Sequence, residues 1–85
     1  MTFNVKLDNQ PEKFLKKGDR ILQDRIHAKI TALQNDPFPH DSKRIVNRRE
    51  KTFRIRVGDY RILYVVYFEE NTILISKIDK RKNVY

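Results

Sequence analysis

Apolar and polar positions alternate at the start of the chain. Phe3, Val5 and Leu7 interleave with Asn4 and Lys6, the period-two pattern of a half-buried strand. Asn9 then offers a helix cap, Pro11 suits a first turn, and Gly18 supplies a left-handed stop after Phe14 and Leu15. Asp19 caps a second, longer helix. Its apolar positions Leu22, Ile26, Ile30 and Leu33 recur at spacings of four, four and three, which makes one stripe. Asn35-Asp36-Pro37 ends that helix, because the residue before proline is pushed out of the α region. Residues 36–42, DPFPHDS, read as a loop.

The second half is strand-like throughout. Lys43–Asn47 reads as a short strand, and Phe53, Ile55 and Val57 alternate with Arg54 and Arg56. Tyr60–Phe68 is nearly continuous aromatic and β-branched sequence, as in a central strand, and Thr72–Ile78 is a further strand. No repeat or low-complexity tract interrupts the order. The expected fold class is α+β in two layers: an N-terminal strand and a two-helix hairpin packed on a largely antiparallel sheet of four to five strands. Residues 1–85 are expected to form one domain.

Within FRIRVGDYRILY, Gly58-Asp59 fits a two-residue hairpin turn in which glycine supplies positive φ. That turn pairs Val57 with Tyr60, Arg56 with Arg61, Ile55 with Ile62 and Phe53 with Tyr64. Phe53, Ile55, Val57, Tyr60, Ile62 and Tyr64 then share the face that packs on the helices, and Arg54, Arg56 and Arg61 share the other. Directly opposed like charges destabilise a sheet by up to about 1 kcal/mol. An anion lying between Arg56 and Arg61 would relieve that repulsion; two guanidinium groups splayed into solvent is the structural alternative. The next hairpin turns near Glu69–Asn71 and returns Asp79, Lys80 and Arg81 to the end of the sheet where Arg61 sits, with Tyr85 within reach.

Charge sharpens this picture. The 85 residues hold 19 Lys plus Arg against 11 Asp plus Glu, a net +8. Residues 1–42 are nearly neutral, residues 43–61 carry a net +6 and residues 77–85 a net +3. The excess lies in two short blocks. They suit a polyanion, since arginine donates paired hydrogen bonds to phosphate, and equally an acidic protein partner or a solvated basic face. Cysteine is absent, which removes disulfides, thiolate metal sites and a cysteine nucleophile. No apolar run is long enough to span a membrane, and MTFNVKLDNQ lacks the charged-then-apolar pattern of a secretory leader, so no membrane association and a cytoplasmic location are expected.

Candidate chemistry is narrow. His27 and His40 sit in no catalytic motif, the acidic residues lack metal-ligand spacing, and two glycines cannot form a phosphate-binding loop. No metal or cofactor is expected. Cleavage of RNA by its own 2′-hydroxyl stays open: arginines meet its electrostatic requirement but do not deprotonate. Tyr85 is the base candidate within the converging set, its alternative being an aromatic that packs on the sheet. A tyrosine near its ordinary pKa of about 10 is roughly 0.1% ionised at pH 7, and neighbouring cations favour the ionised form.

FRIRVGDYRILYVVY followed by ISKIDKRKNVY resembles the RelE/ParE superfamily of toxin–antitoxin toxins, and within it the RelE branch with its compact archaeal-type members. The resemblance spans essentially the whole chain; GDYRILY, and KR followed shortly by VY, are its most specific pieces. It implies a ribosome-dependent endoribonuclease that needs no metal and cuts mRNA in the ribosomal A site. Arg54 and Arg56 match two basic positions, usually lysines in the best-known members, that hold the RNA backbone. Arg61 matches the arginine that stabilises the scissile phosphate, Arg81 the residue proposed as general acid or transition-state stabiliser, and Tyr85 the tyrosine proposed as general base. The spacing from Arg81 to Tyr85 is short for the family. Lys43, Arg44, Arg48, Arg49, Lys51, Lys80 and Lys82 are the expected RNA or rRNA phosphate contacts. The implied partners are a cognate antitoxin, in a higher-order toxin–antitoxin complex, and the ribosome with its mRNA. A ParE-like inhibitor of DNA gyrase and a non-catalytic RNA-binding module are the alternatives.

Overall fold

A computed structural model describes residues 2–46 and 48–81. In chain order the elements are strand β1 (Asn4–Leu7), helices α1 (Asn9–Lys16) and α2 (Arg20–Asn35), and strands β2 (Lys43–Ile45), β3 (Thr52–Val57), β4 (Tyr60–Tyr67) and β5 (Thr72–Lys80). Two helices packed on a five-stranded sheet make the expected two-layer α+β architecture. The sheet order is β1-β5-β4-β3-β2.

The sheet is mixed. β2–β3, β3–β4 and β4–β5 pair antiparallel, whereas β1 runs parallel to β5 with Val5 opposite Ile73. A parallel neighbour requires a long crossover, and the helices and the other strands supply it. The β3–β4 register is the expected one, with Val57 opposite Tyr60 and Arg56 opposite Arg61. The β4–β5 register shifts between Leu63 and Tyr64: Leu63 faces Lys77 and Tyr64 faces Ile75. Ser76 is the extra residue, and its hydroxyl donates to the Leu63 carbonyl at 3.2 Å.

Local boundaries follow side-chain chemistry. Asp8, not Asn9, caps α1, its carboxylate accepting from the Asn9 amide at 2.8 Å; Asn9 is the first helical residue. A carboxylate one position earlier also answers the positive end of the helix. Gly18 ends the segment at φ +112°, and Asp19 caps α2 by accepting from the Ile21 amide at 3.1 Å. β2 stops at Ile45 within the expected 43–47 strand, β4 stops at Tyr67, and β5 runs on to Lys80.

The core lies between the helices and one sheet face. Ile26, Ile30 and Leu33 of α2 meet Ile55, Val57, Ile62, Tyr64, Ile73, Ile75 and Ile78, with Leu22 and Phe53 packed at the margin. α1 covers the C-terminal half of β5, beyond the reach of β1. There the Gln10 side chain takes the place of a strand: its amide donates to the Ile78 carbonyl at 2.7 Å and its oxygen accepts from the Ile78 N–H at 2.8 Å.

Candidate nucleic-acid interface

Period-two alternation turns Arg54, Arg56 and Arg61 away from the helices, as the sequence predicts. Leu63 and Val65 follow Arg61 along the same face of β4, and both are buried. The arginine face is therefore apolar at its base. Charges beside such a base are less screened than on an open surface.

A cavity of 440 Å³ opens on this face, lined by Arg44, Ile45 and Val46 together with Arg54, Arg56, Arg61 and Arg81. Four of the five residues expected to act chemically are thus brought together. Arg81 arrives by two steps. β5 pairs antiparallel with β4, placing Asp79 opposite Arg61 and Lys80 opposite Tyr60, and the Arg81 amide then donates to the Asp59 carbonyl at 3.0 Å. The hairpin turn itself anchors the end of the site.

Arg61 differs from its neighbours. It is 5% exposed, whereas Arg56 opposite it lies open to solvent. Its Nη1 donates to the carbonyls of Gly58 and Tyr60 at 3.1 and 2.9 Å. Among the described residues its buried Nε has no hydrogen-bond partner. Neither expected alternative describes it fully. Arg61 does not splay into solvent, and part of its fork is held by the turn, leaving the rest to line the cavity. A buried donor without a partner costs roughly 1–3 kcal/mol, and more for a charged group. Among the described residues, none of the five arginines lining the cavity makes an ion pair.

The other expected contacts are placed differently. Arg44 lines the cavity; Lys43, Arg48, Arg49, Lys51 and Lys80 are exposed and do not. Glu50, the carboxylate within the 48–51 loop, accepts from the Tyr67 hydroxyl, which ties that loop to the far end of β4. The same carboxylate raises the Tyr67 pKa. Tyr85 and Lys82 lie outside the described residues. Ile45 and Val46 were not expected in the site. The charge pattern of residues 43–49 points only to their cations, yet Val46 is 72% exposed and forms part of the cavity wall. Among the described residues the lining holds no carboxylate, imidazole or phenol. This cavity can bind and neutralise phosphate, and a proton acceptor must come from outside that lining.

A sequence model of the family described as "ParE toxin of type II toxin-antitoxin system, parDE" matches residues 5–85. The chain belongs to the RelE/ParE superfamily of toxins. Over 88 residues it is 32% identical to RelE1 of Methanocaldococcus jannaschii, covering 100% of this chain and 97% of that protein. Among solved structures it is similar to RelE in the archaeal RelE–RelB complex from Pyrococcus horikoshii OT3, with a TM-score of 0.81 and 28% identity over 95% of this chain and 97% of the other. The RelB–RelE antitoxin–toxin complex from Methanococcus jannaschii gives a TM-score of 0.69 and 29% identity over 93% of each chain. This RelE-like protein is a toxin of a toxin–antitoxin system.

Proposed function

We propose that this toxin is a ribosome-dependent endoribonuclease that cleaves mRNA in the ribosomal A site and stops translation in the cytoplasm. The observation that carries the reading is the convergence on one cavity of Arg54, Arg56, Arg61 and Arg81, none in an ion pair among the described residues, with a buried guanidinium donor left over at Arg61.

The reaction needs the 2′-hydroxyl to attack the adjacent phosphorus in line. The P–O5′ bond breaks, leaving a 2′,3′-cyclic phosphate and a 5′-hydroxyl, while one proton passes from O2′ to the base and one reaches O5′ from water. Arg61 and Arg56, from opposite sides of the hairpin, stabilise the charge that grows on the non-bridging oxygens. Arg54 holds the neighbouring backbone. Arg81, fixed to the turn through its amide, stabilises the leaving O5′. Tyr85 is the assigned base, because arginine does not give up its proton. The exposed Lys43, Arg48, Arg49, Lys51 and Lys80, with Lys82, form the docking surface for ribosomal RNA and mRNA phosphates.

Two solved relatives at 28% and 29% identity are RelE–RelB complexes. A protein antitoxin that covers this cationic face is the corresponding partner here, in a higher-order heteromer.

Toe-printing of translating ribosomes with purified protein tests the reading. The expected result is a new mRNA end in the A site that requires ribosomes and disappears with Arg61→Ala and Arg81→Ala. A second reading is a ParE-like gyrase inhibitor, favoured by the name of the matching family model. Inhibited gyrase supercoiling with intact mRNA would establish it instead. RNA binding with neither effect would leave a binding module.

A further inference from the structure

The cationic groove does not stop at Arg56. β2 pairs with β3 only as far as Arg54, so residues 55–57 of β3 have no strand on their outer side among the described residues. Helix α2 passes this open edge. A second cavity, of 340 Å³, is lined there by Arg25, Ala28 and Lys29 of α2 and by Arg56, Val57 and Gly58. Arg56 belongs to both cavities.

The Arg25 guanidinium lies against the hairpin turn. A Cβ on Gly58 would come within 3.3 Å of Arg25 Nη2 and 3.4 Å of its Nη1. Glycine at 58 therefore serves the turn, at φ +58°, and also leaves room for this cation. Arg25 is exposed and, among the described residues, makes neither an ion pair nor a hydrogen bond. Lys29 is different: it is paired with Asp41 at 3.3 Å. Two arginines, 25 and 56, neither in an ion pair among the described residues, thus face one open cavity beside a strand edge that no described strand covers.

We infer that Arg25 and Arg56 form a second phosphate site, which takes the next phosphodiester along the same RNA strand whose scissile phosphate sits at Arg61. The inference rests on the RNA reading of the first cavity. From Arg54 to Val57 the strand advances about 10 Å at 3.3 Å per residue, longer than a single phosphate needs. The shared Arg56 makes the two cavities one track. Arg25 acts there as a binding residue that holds the substrate strand in register.

The test is binding of short RNAs carrying 2′-O-methyl groups, so that no cleavage occurs, followed by fluorescence anisotropy across a salt series. A hexanucleotide spans both cavities, and a dinucleotide offers a single phosphodiester. Arg25→Gln should weaken hexanucleotide binding about tenfold, the lower end of what a lost charge-assisted contact costs. It should also reduce the slope of log K against log salt by about 0.7, the contribution of one phosphate on a single strand. Dinucleotide binding should not change, and Arg25→Lys should recover part of the loss. Circular dichroism and melting of Arg25→Gln should match wild type, since the side chain is exposed.

Unchanged hexanucleotide affinity and slope in Arg25→Gln, with binding lost in Arg61→Gln, would overturn the second site and leave the first intact. A loss confined to ribosome docking, with hexanucleotide binding unchanged, would overturn the same-strand assignment. Wild type binding no more tightly than an Arg25→Gln, Arg61→Gln double variant would overturn the second site and the RNA reading together.

Discussion

Arg56 and Arg61 stand directly opposite each other on the β3–β4 hairpin, yet they occupy different depths. Arg56 is exposed, whereas Arg61 is buried with Nη1 on the carbonyls of Gly58 and Tyr60. The turn's carbonyl dipoles take up part of the Arg61 charge, and the depth difference separates two cations that would otherwise meet. Under the proposed function, one phosphate is held between them from two sides.

Removing the deep partner should cost more than removing the shallow one. Arg61→Ala is expected to lower single-turnover cleavage on programmed ribosomes by about 10²–10³, the usual loss for one preorganised donor to a developing oxyanion. It should also destabilise the fold by roughly 1–2 kcal/mol in urea melts, through the two turn hydrogen bonds. Arg56→Ala should weaken substrate binding about tenfold and leave the melt within about 0.5 kcal/mol of wild type.

Gly58→Ala should destabilise the protein by about 1–2 kcal/mol. The residue sits at φ +58°, where an L side chain crowds its own backbone, and Arg25 occupies the adjacent space. Gly58→Asn, better tolerated in the left-handed region, should cost less than Gly58→Ala. Equal midpoints in denaturant for wild type and Gly58→Ala would refute both points.

Gln10→Ala removes the two side-chain hydrogen bonds that stand in for a strand at Ile78. Each such bond is worth about 1 kcal/mol net, so a loss of roughly 2 kcal/mol is expected. Hydrogen exchange should report it locally, with the Ile78 amide losing protection before the amides of β4.

The Tyr64 phenol donates to the Pro37 carbonyl at 2.7 Å, and burial pushes its pKa up to about 12. The folded state thus disfavours the phenolate, which the unfolded chain forms near its ordinary value of 10. The stabilisation is complete below pH 10 and is lost as pH rises from about 10 to 12, amounting to roughly 2–3 kcal/mol. Lysines titrate in the same range, so the readout is the difference from Tyr64→Phe. That variant should lose less stability than wild type between pH 10 and 12.

Much of the candidate site was legible because the β-hairpin is local. Gly58-Asp59 permits one pairing, and the pairing dictates which side chains share a face, so Arg54, Arg56 and Arg61 could be grouped by counting from the turn. Arg81 followed because an antiparallel return ends where the previous strand began. The β4–β5 register was not legible. The bulge at Ser76 depends on which carbonyl its hydroxyl reaches, and no periodicity encodes that. Asn9 and Asp8 are both good caps, and the choice between them turns on where the chain leaves β1.

Periodicity and turn chemistry, both local properties, were enough for the element order, the core stripe of α2, the hairpin register and the face that carries the arginines. Depth, commitment and neighbours belong to the packed chain. Burial of Leu63 and Val65 beside Arg61, the hold of the turn carbonyls on its Nη1, and the parallel pairing of β1 with β5 all arise between distant segments. So does the approach of Arg25 to Gly58, 33 positions away in the chain. Charge composition names a class of partner, but strand pairing and the packing of α2 against the hairpin decide which cations share a cavity.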